Sequence, residues 1–238
     1  MPETVELDIE TIPGPESILW AFEESIEAPG QYKKPESIAE WKREHGKEAA
    51  LDKWLATSFD GSLGQVCVIG VSVNGKDPQA FWSDAYRHDE EVILRRFYEY
   101  LQDHQVNSST VWVGHNIINF DLRFLFQRTV VQGVRPPRCV PYNASPYSDR
   151  TYDTQAKWAG RDRVKFDDLC KALGLAGKTG VDGSKVWGLV KDGRIAEVAD
   201  YCLNTDVAQL RQVYERMTFH KPTEIYDITR RGELQEPI

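Results

Sequence analysis

Two acidic residues near the N-terminus have the spacing of a metal site. Residues 5–11 read VELDIET, in which apolar and acidic side chains alternate. This period-two pattern predicts a strand with one face on a core and the other open. Asp8 and Glu10 would share the open face, with their Cα atoms about 6.6 Å apart. Such a pair can hold two divalent ions about 3.5–4 Å apart for hydrolysis, or it can be an ordinary solvated acidic face.

A third acid, Asp206, stands inside an apolar helical pattern. Residues 194–219 repeat apolar side chains at three- and four-residue steps, which predicts one long final helix. Its stripe consists of Ile195, Ala199, Cys202, Asp206, Leu210, Val213 and Met217. A carboxylate on a buried helix face is costly unless a cation or strong donors lie beside it. Asp206 is therefore either a metal ligand or the partner of an arginine or a backbone amide.

A fourth acid, Asp121, lies at a predicted strand-to-helix corner. Residues 110–114 (TVWVG) read as a core strand, and a helix is predicted from 122 to 132. Asp121 stands between them, where a carboxylate can serve as the helix N-cap or as a metal ligand. The position alone leaves both roles open.

The elements that must position these acids alternate between strands and helices. Residues 65–73 and 80–82 read as strands, and Asn74-Gly75 between them is a hairpin turn signal, so the first three strands are predicted to form a meander. A helix is expected from 89 to 104. Strand, helix, strand, helix is a βαβα order, which predicts a layered α/β domain with some parallel strand pairing.

Composition limits the classes of protein that remain. The 238 residues carry a net charge of −8, with 6 basic and 14 acidic residues in 1–60 but 10 basic and 6 acidic residues in 150–194. A surface facing nucleic acid is therefore possible near 157–194, although a solvated mixed surface fits as well. No apolar run reaches the roughly 20 residues that span a bilayer, and the start lacks a secretory pattern. Four scattered cysteines are typical of a reducing compartment, so a cytoplasmic protein is expected.

Three motifs in order resemble the DEDD superfamily of 3′–5′ exonucleases. Residues 8–10 (DIE) are similar to the first exonuclease motif, 114–121 (GHNIINFD) to the second and 201–206 (YCLNTD) to the third. The run from Leu173 to Asp206 is similar to predicted exonucleases related to the proofreading domain of family B DNA polymerases. The resemblance implies a ribonuclease H-like α/β fold, a mixed sheet flanked by helices. It also implies one exonuclease domain over 1–219, with a helical insertion at 13–60 beside the active face, followed by a C-terminal tail at 220–238.

The resemblance implies two-metal hydrolysis from the 3′ end of nucleic acid, with single-stranded DNA as the expected substrate. The implied metal ligands are Asp8, Glu10, Asp121 and Asp206, which would hold two Mg²⁺ or Mn²⁺ ions, and Tyr201 would orient the attacking water. The implied substrate contacts are Thr11, Asn116 and Phe120 at the terminal nucleotide and Lys178 and Lys185 at phosphates. Packing roles for Asn116 and Phe120, and solvated lysines, are the alternatives.

One interval departs from the family pattern. The tyrosine subclass sets its tyrosine four residues before the last aspartate, whereas Tyr201 precedes Asp206 by five. On a regular α-helix this interval leaves the two side chains about 140° apart, so Tyr201 can be a packing residue unless the helix starts or kinks between them. Two other functions therefore stay open, a non-catalytic nucleic-acid-binding module that keeps the fold and an endonuclease or oligonucleotide phosphodiesterase.

Overall fold

The computed structural model describes residues 3–176 and 183–220, and its centre is a five-stranded mixed sheet in the order β3-β2-β1-β4-β5. The strands are β1 (Thr4–Ile12), β2 (Gln65–Val73), β3 (Gln79–Trp82), β4 (Val111–Gly114) and β5 (Thr151–Asp153). Strands β1, β2 and β3 pair antiparallel, so the predicted meander is confirmed. Asn74 and Gly75 both have positive φ, as a tight hairpin turn requires.

Strands β4 and β5 extend the sheet in parallel with β1. The predicted strand at 110–114 is confirmed as β4, but β5 was not predicted. Its three residues are too few to show a period, and its place is set by pairing with β4 rather than by its own sequence.

Helices cover both faces of the sheet. They are α1 (Leu19–Ser25), α2 (Pro35–Leu55), α3 (Glu90–Asp103), α4 (Asp121–Val131), α5 (Thr154–Ala159), α6 (Phe166–Ala172), α7 (Gly183–Lys191), α8 (Ile195–Tyr201) and α9 (Ala208–Met217). The expected helix at 89–104 is α3, and the expected helix at 122–132 is α4. None of the helices in the described ranges has the length and apolar character to cross a bilayer.

Strand β1 is covered on both faces, so the expectation of one open face is wrong. Val5, Leu7 and Ile9 belong to a core shared with α3 and α4. The acidic face lies beneath the C-terminal helices, and Glu6 is fully buried with an ion pair of 2.8 Å to Arg211 of α9. The alternation predicted the two faces correctly, but it carries no information about what packs over the acidic one.

The final helical stretch runs without a gap from Ile195 to Met217, but it changes type along its length, which refines the prediction of one helix over 194–219. Helix α8 ends at Tyr201, a π-helix occupies Cys202–Val207, and α9 begins at Ala208. The amide of Ala208 donates to the carbonyl of Leu203, an i→i+5 bond of the π type. Short π segments inside helices often occur at functional sites.

The π-helix lies very close to the sheet at Gly70 of β2. A Cβ atom added to Gly70 would stand 2.5 Å from the Cys202 sulfur and 3.0 Å from Val207. Gly70 is the register partner of Asp8 in β1. The missing side chain therefore lets the π-helix approach the strand that carries the first acids.

The segment 13–60 is helical, as expected. It contains two short 3₁₀ turns besides α1 and α2. The indole of Trp54 in α2 donates to the carbonyl of Gly14 (3.1 Å), and its ring makes an edge contact of 5.7 Å with Trp187 of α7. The segment is thereby fixed at both its beginning and its end.

Candidate active site

Asp8 and Glu10 of β1 meet the thiol of Cys202 in the π-helix. One ligand atom from each of the three residues lies within 4.8 Å of the others. The Cys202 sulfur stands 3.6 Å from Oδ2 of Asp8. Burial raises the pKa of the Cys202 thiol well above its usual value, and the nearby Asp8, Glu10 and Asp206 carboxylates raise it further. The thiol is therefore held in its neutral form.

Asp121 is the first residue of α4, and the helix N-cap is Phe120. The Asp121 side chain turns back to the sheet, where Oδ1 accepts a hydrogen bond of 3.1 Å from the amide of Ile9 in β1. Burial raises the pKa of Asp121 well above its usual value, and the charge of Asp8 raises it further. The side chain therefore does not act as an N-cap, and it places a second carboxylate beside Asp8.

Asp206 is buried inside the π-helix with 3% of its surface exposed. Asp8 and Asp206 line the same open cavity of about 940 Å³. The final helical stretch thus brings the last acid to the same cavity as the first one, although they lie 198 positions apart in the chain.

The donor set fits hard divalent cations. Carboxylate oxygens are the ligands that Mg²⁺ and Mn²⁺ prefer, and β1, α4 and the π-helix each contribute at least one. Burial raises the pKa of Asp121, and repulsion from the Asp8 carboxylate raises it further; a bound cation would relieve that repulsion. Cys202 is the exception, because a thiol is a soft ligand.

Residues 62–226 match a family model described as "Predicted 3′-5′ exonuclease related to the exonuclease domain of PolB". The match covers more than half of the chain and includes Asp121, Tyr201 and Asp206. The chain belongs to this family. Asp8 and Glu10 precede the matched residues, so their assignment depends on the site geometry. Among curated proteins, none matches this chain.

A solved structure with a similar fold is the family B DNA polymerase from the hyperthermophilic archaeon Pyrobaculum calidifontis. The TM-score is 0.58 at 16% sequence identity, and the alignment covers 92% of this chain but 25% of the polymerase. At this identity the likeness concerns the fold alone. It confirms the ribonuclease H-like mixed sheet flanked by helices for this member of the PolB-related exonuclease family.

Tyr201 is buried at the junction between α8 and the π-helix. Because i→i+5 bonding puts more residues into each turn than an α-helix has, side chains five positions apart lie closer to one face than the 140° of an α-helix. In this family member, the five-residue interval therefore brings Tyr201 closer to the face of Asp206 than the same interval would on a regular α-helix. Tyr201 is not among the described residues that line the cavity.

The expected contacts to the terminal nucleotide do not all lie in the cavity of the carboxylates. Asn116 lines the cavity and has a positive φ of 62°. Its backbone N–H donates a hydrogen bond to Oδ1 of Asp153 (2.9 Å). Phe120 lines a second, smaller cavity instead. The Thr11 hydroxyl donates to the carbonyl of Ser58 at 2.6 Å, which links β1 to the end of the segment 13–60.

Of the two expected phosphate-binding lysines, Lys185 is the one that the structure describes. Lys185 is exposed on α7 and is absent from the described lining of the cavity. Lys178 lies outside the described residues, as does the tail beyond residue 220.

Sequence reasoning missed several residues of the cavity. Exposed Arg163 and Lys165 line it and belong to the basic segment 157–194 that was singled out. His115 also lines it, with Nδ1 2.9 Å from the Thr154 hydroxyl and Nε2 2.8 Å from the Val164 carbonyl. Asp153 is the N-cap of α5, and its carboxylate also accepts hydrogen bonds from the backbone amides of Asn116 and Ile118 in the 114–121 motif. The basic residues had a compositional signal, but Asp153 is the last residue of the unpredicted strand β5 and had none.

Proposed function

We propose that this chain is a two-metal-ion 3′–5′ exonuclease that removes nucleotides from the 3′ end of single-stranded DNA. The observation that carries the proposal is the convergence of carboxylates from β1, α4 and the π-helix around Asp8. Two observations support this convergence. The backbone amide of Ile9, next to Asp8, donates a hydrogen bond to Asp121. Asp206 and Asp8 line the same cavity. We also propose residues 1–219 as one exonuclease domain, with the 13–60 insertion beside the active face.

The carboxylates have distinct proposed roles. Asp8, Glu10 and Asp206 would hold one Mg²⁺ or Mn²⁺ ion, Asp8 would reach the second, and Asp121 would support that second ion. Two such ions lower the pKa of an attacking water and stabilise charge on the attacking and leaving oxygens. The backbone amide of Ile9 fixes Asp121 in orientation. Tyr201 would orient the attacking water from the start of the π-helix.

The surroundings of the carboxylates favour a single-stranded polyanion. Arg163 and Lys165 place two cations in the lining for phosphate contacts, beside the acids Asp167 and Asp168. Its volume of about 940 Å³ falls within the range of ligand pockets, about 300–1,000 Å³, and suits an unpaired end rather than a duplex. Asn116, which lines the same cavity, would hydrogen-bond the terminal nucleotide.

End-labelled single strands test the proposal. With Mg²⁺ or Mn²⁺, a 3′ label should be released as mononucleotide at once, and a 5′ label should pass through a ladder of shortening strands. Asp8→Asn should lower the rate by about 10³-fold or more, because it removes the carboxylate charge that is proposed to hold both metal ions. Asp52→Asn, an exposed acid of α2, is the matched control and should leave the rate unchanged.

Two other results would redirect the assignment. Cleavage of a circular single strand would identify an endonuclease, because an exonuclease needs an end. Metal-dependent binding of the linear strand with both labels persisting would identify a non-catalytic binding module of the same fold.

A further inference from the structure

A second cavity is lined by the 116–120 loop, which also contributes to the cavity of the carboxylates. It measures about 270 Å³ and is lined by Phe59, Asp60, Asn119, Phe120, Arg123 and Gln127, among others. Asn119 donates to Oδ1 of Asn116 at 3.3 Å, and Asn116 lines the larger cavity. Residues of one short loop therefore line both cavities, and Phe120 directly precedes Asp121.

Phe59 reaches this cavity from the end of the 13–60 insertion. Its side chain is 75% exposed. The backbone around it is fixed, because the Ser58 carbonyl accepts from Thr11 (2.6 Å) and the Gly61 carbonyl accepts from Arg128 (3.1 Å). An exposed aromatic ring on an anchored backbone offers a preorganised contact surface, since little conformational entropy remains to be lost on binding.

The remaining lining supplies aromatic, cationic and amide groups. Phe120 is half-buried and packs on Phe124 at a ring distance of 5.7 Å. Arg123 is exposed, and no carboxylate of the described residues forms an ion pair with it. Asn119 and Gln127 add amide groups that can donate or accept hydrogen bonds.

This combination matches the chemistry of a nucleobase. Single-stranded bases are bound by stacking on aromatic rings and guanidinium planes and by hydrogen bonds to their edges. A purely apolar ligand would leave Asn119 and Gln127 unused, and a free phosphate would leave Phe59 unused. Asp60 does not repel such a neutral ring, and its Oδ1 already accepts from the amide of Ser62.

We propose that this cavity binds one base of the substrate strand, next to the nucleotide being removed, with Phe59 and Arg123 as its stacking residues. The proposal rests on the proposed exonuclease function, because the strand must run from the Asp8 and Asp206 cavity across the 116–120 loop. It assigns a substrate-positioning role to the 13–60 insertion through Phe59.

A binding experiment with single abasic sites tests this subsite. A series of single strands, each lacking one base at a defined distance from the 3′ end, is titrated against the full chain in Ca²⁺, with affinity as the readout. For the parent, removal of one particular base near the 3′ end should weaken binding by roughly 5- to 100-fold, the range expected for one stacked base. Phe59→Ala should weaken binding of the complete strand by a similar factor. In this variant, removal of that same base should cause no further loss of affinity.

Three variants complete the test. Phe59→Trp should retain the parent affinity, because it keeps a ring for stacking, and Arg123→Ala should lose part of it. Trp20→Ala, at an aromatic residue of α1 that is 60% exposed and lines neither cavity in the described structure, should bind like the parent.

The outcomes separate the two proposals. If the parent binds and degrades the strand while Phe59→Ala keeps the parent affinity and the same abasic profile, the subsite is wrong and the exonuclease function stands. If the parent neither binds nor degrades any single strand, both proposals are wrong.

Discussion

Tyr201 and Asp206 flank a change of helix type: Tyr201 is the last residue of α8, and Asp206 lies within the π-helix that follows it. The π turn accommodates the extra residue in the interval between them. The two side chains therefore lie closer to a common face than an unbroken α-helix allows. Gly70 makes this possible from the sheet side, because a Cβ atom there would collide with Cys202.

Removal of Asn204 tests the role of the π-helix. Asn204 is exposed, and its deletion would give Tyr201 the four-residue interval to Asp206. A continuous α-helix should then form, and nuclease activity should remain within about threefold of the parent. Cooperative thermal unfolding and the rate on labelled single strands are the measurements. Tyr201→Phe in both backgrounds is the control, and it should lower the rate equally in each. Activity lost only on deletion would show that the π geometry itself is required.

The pH dependence of stability reports the burial of Asp121. Its folded pKa lies well above its ordinary value through burial and the charge of Asp8. The folded protein therefore binds more protons than the unfolded chain, and stability without metal should fall as pH rises toward that raised pKa. Asp121→Asn removes this penalty while Oδ1 can still accept from Ile9. In EDTA at pH 8 the variant should melt about 2–4 °C above the parent, roughly 1 kcal/mol.

Calorimetry across pH provides the check on this assignment. The advantage of Asp121→Asn should shrink as the pH is lowered below the raised pKa, where the parent carboxyl is neutral. With added Mn²⁺ the parent should melt above Asp121→Asn, because only the parent retains all the proposed carboxylate ligands and gains the full stabilisation by the metal. An advantage that stays constant from pH 4 to 8 would contradict the electrostatic cause.

Gly70→Ala tests the close approach of the π-helix to β2. The added methyl group would stand 2.5 Å from the Cys202 sulfur, so the variant should lose about 1–3 kcal/mol, the usual cost of overpacking. It should also lose more than tenfold in nuclease rate, because the π-helix carries Asp206. Denaturant unfolding and the end-label assay measure the two effects.

The matched control is Gly188→Ala in α7, where an added Cβ meets nothing within 4 Å. This variant should be neutral or gain about 0.5–1 kcal/mol, because alanine is the better helix former. Equal effects of the two substitutions would argue against a steric role for Gly70.

A buried ion pair links α3 and α4 on the face of the sheet opposite the π-helix. Arg128 of α4 bonds both carboxylate oxygens of Glu90 in α3, at 2.8 and 2.7 Å, and their side chains are 5% and 1% exposed. Arg128→Met should cost about 3–5 kcal/mol, because it leaves the Glu90 charge buried without its partner. The double variant with Glu90→Met should recover only part of that loss, because the buried amide of Val66, which donates to Oε1 of Glu90 at 2.8 Å, loses its acceptor.

Arg95→Met is the surface counterpart. Arg95 pairs with Glu91 at 2.6 Å, but both side chains are about half exposed, so its removal should cost no more than about 0.5 kcal/mol. Urea midpoints of all these variants measure the differences. A double variant no more stable than Arg128→Met would contradict the explanation by an unpaired Glu90 charge.

Several features of the fold could be predicted because their signals are local. The alternation in β1, the hairpin at Asn74-Gly75 and the stripe of α3 each depend on residues within one element. The meander and the helix followed directly from them. By contrast, β5 has three residues and is formed only by pairing with β4, so its sequence carries no period to read.

The sequence by itself determined the identities and order of the four acids and the apolar stripe that marks Asp206 as buried. Tertiary structure alone decided that α9 covers the acidic face of β1, that Cys202 joins Asp8 and Glu10, and that Phe59 reaches a cavity beside Asp121. The physical reason is that side-chain periodicity is fixed within a single helix or strand. Contacts between segments far apart in the chain depend instead on packing, which here required a glycine in β2 and a π turn opposite it.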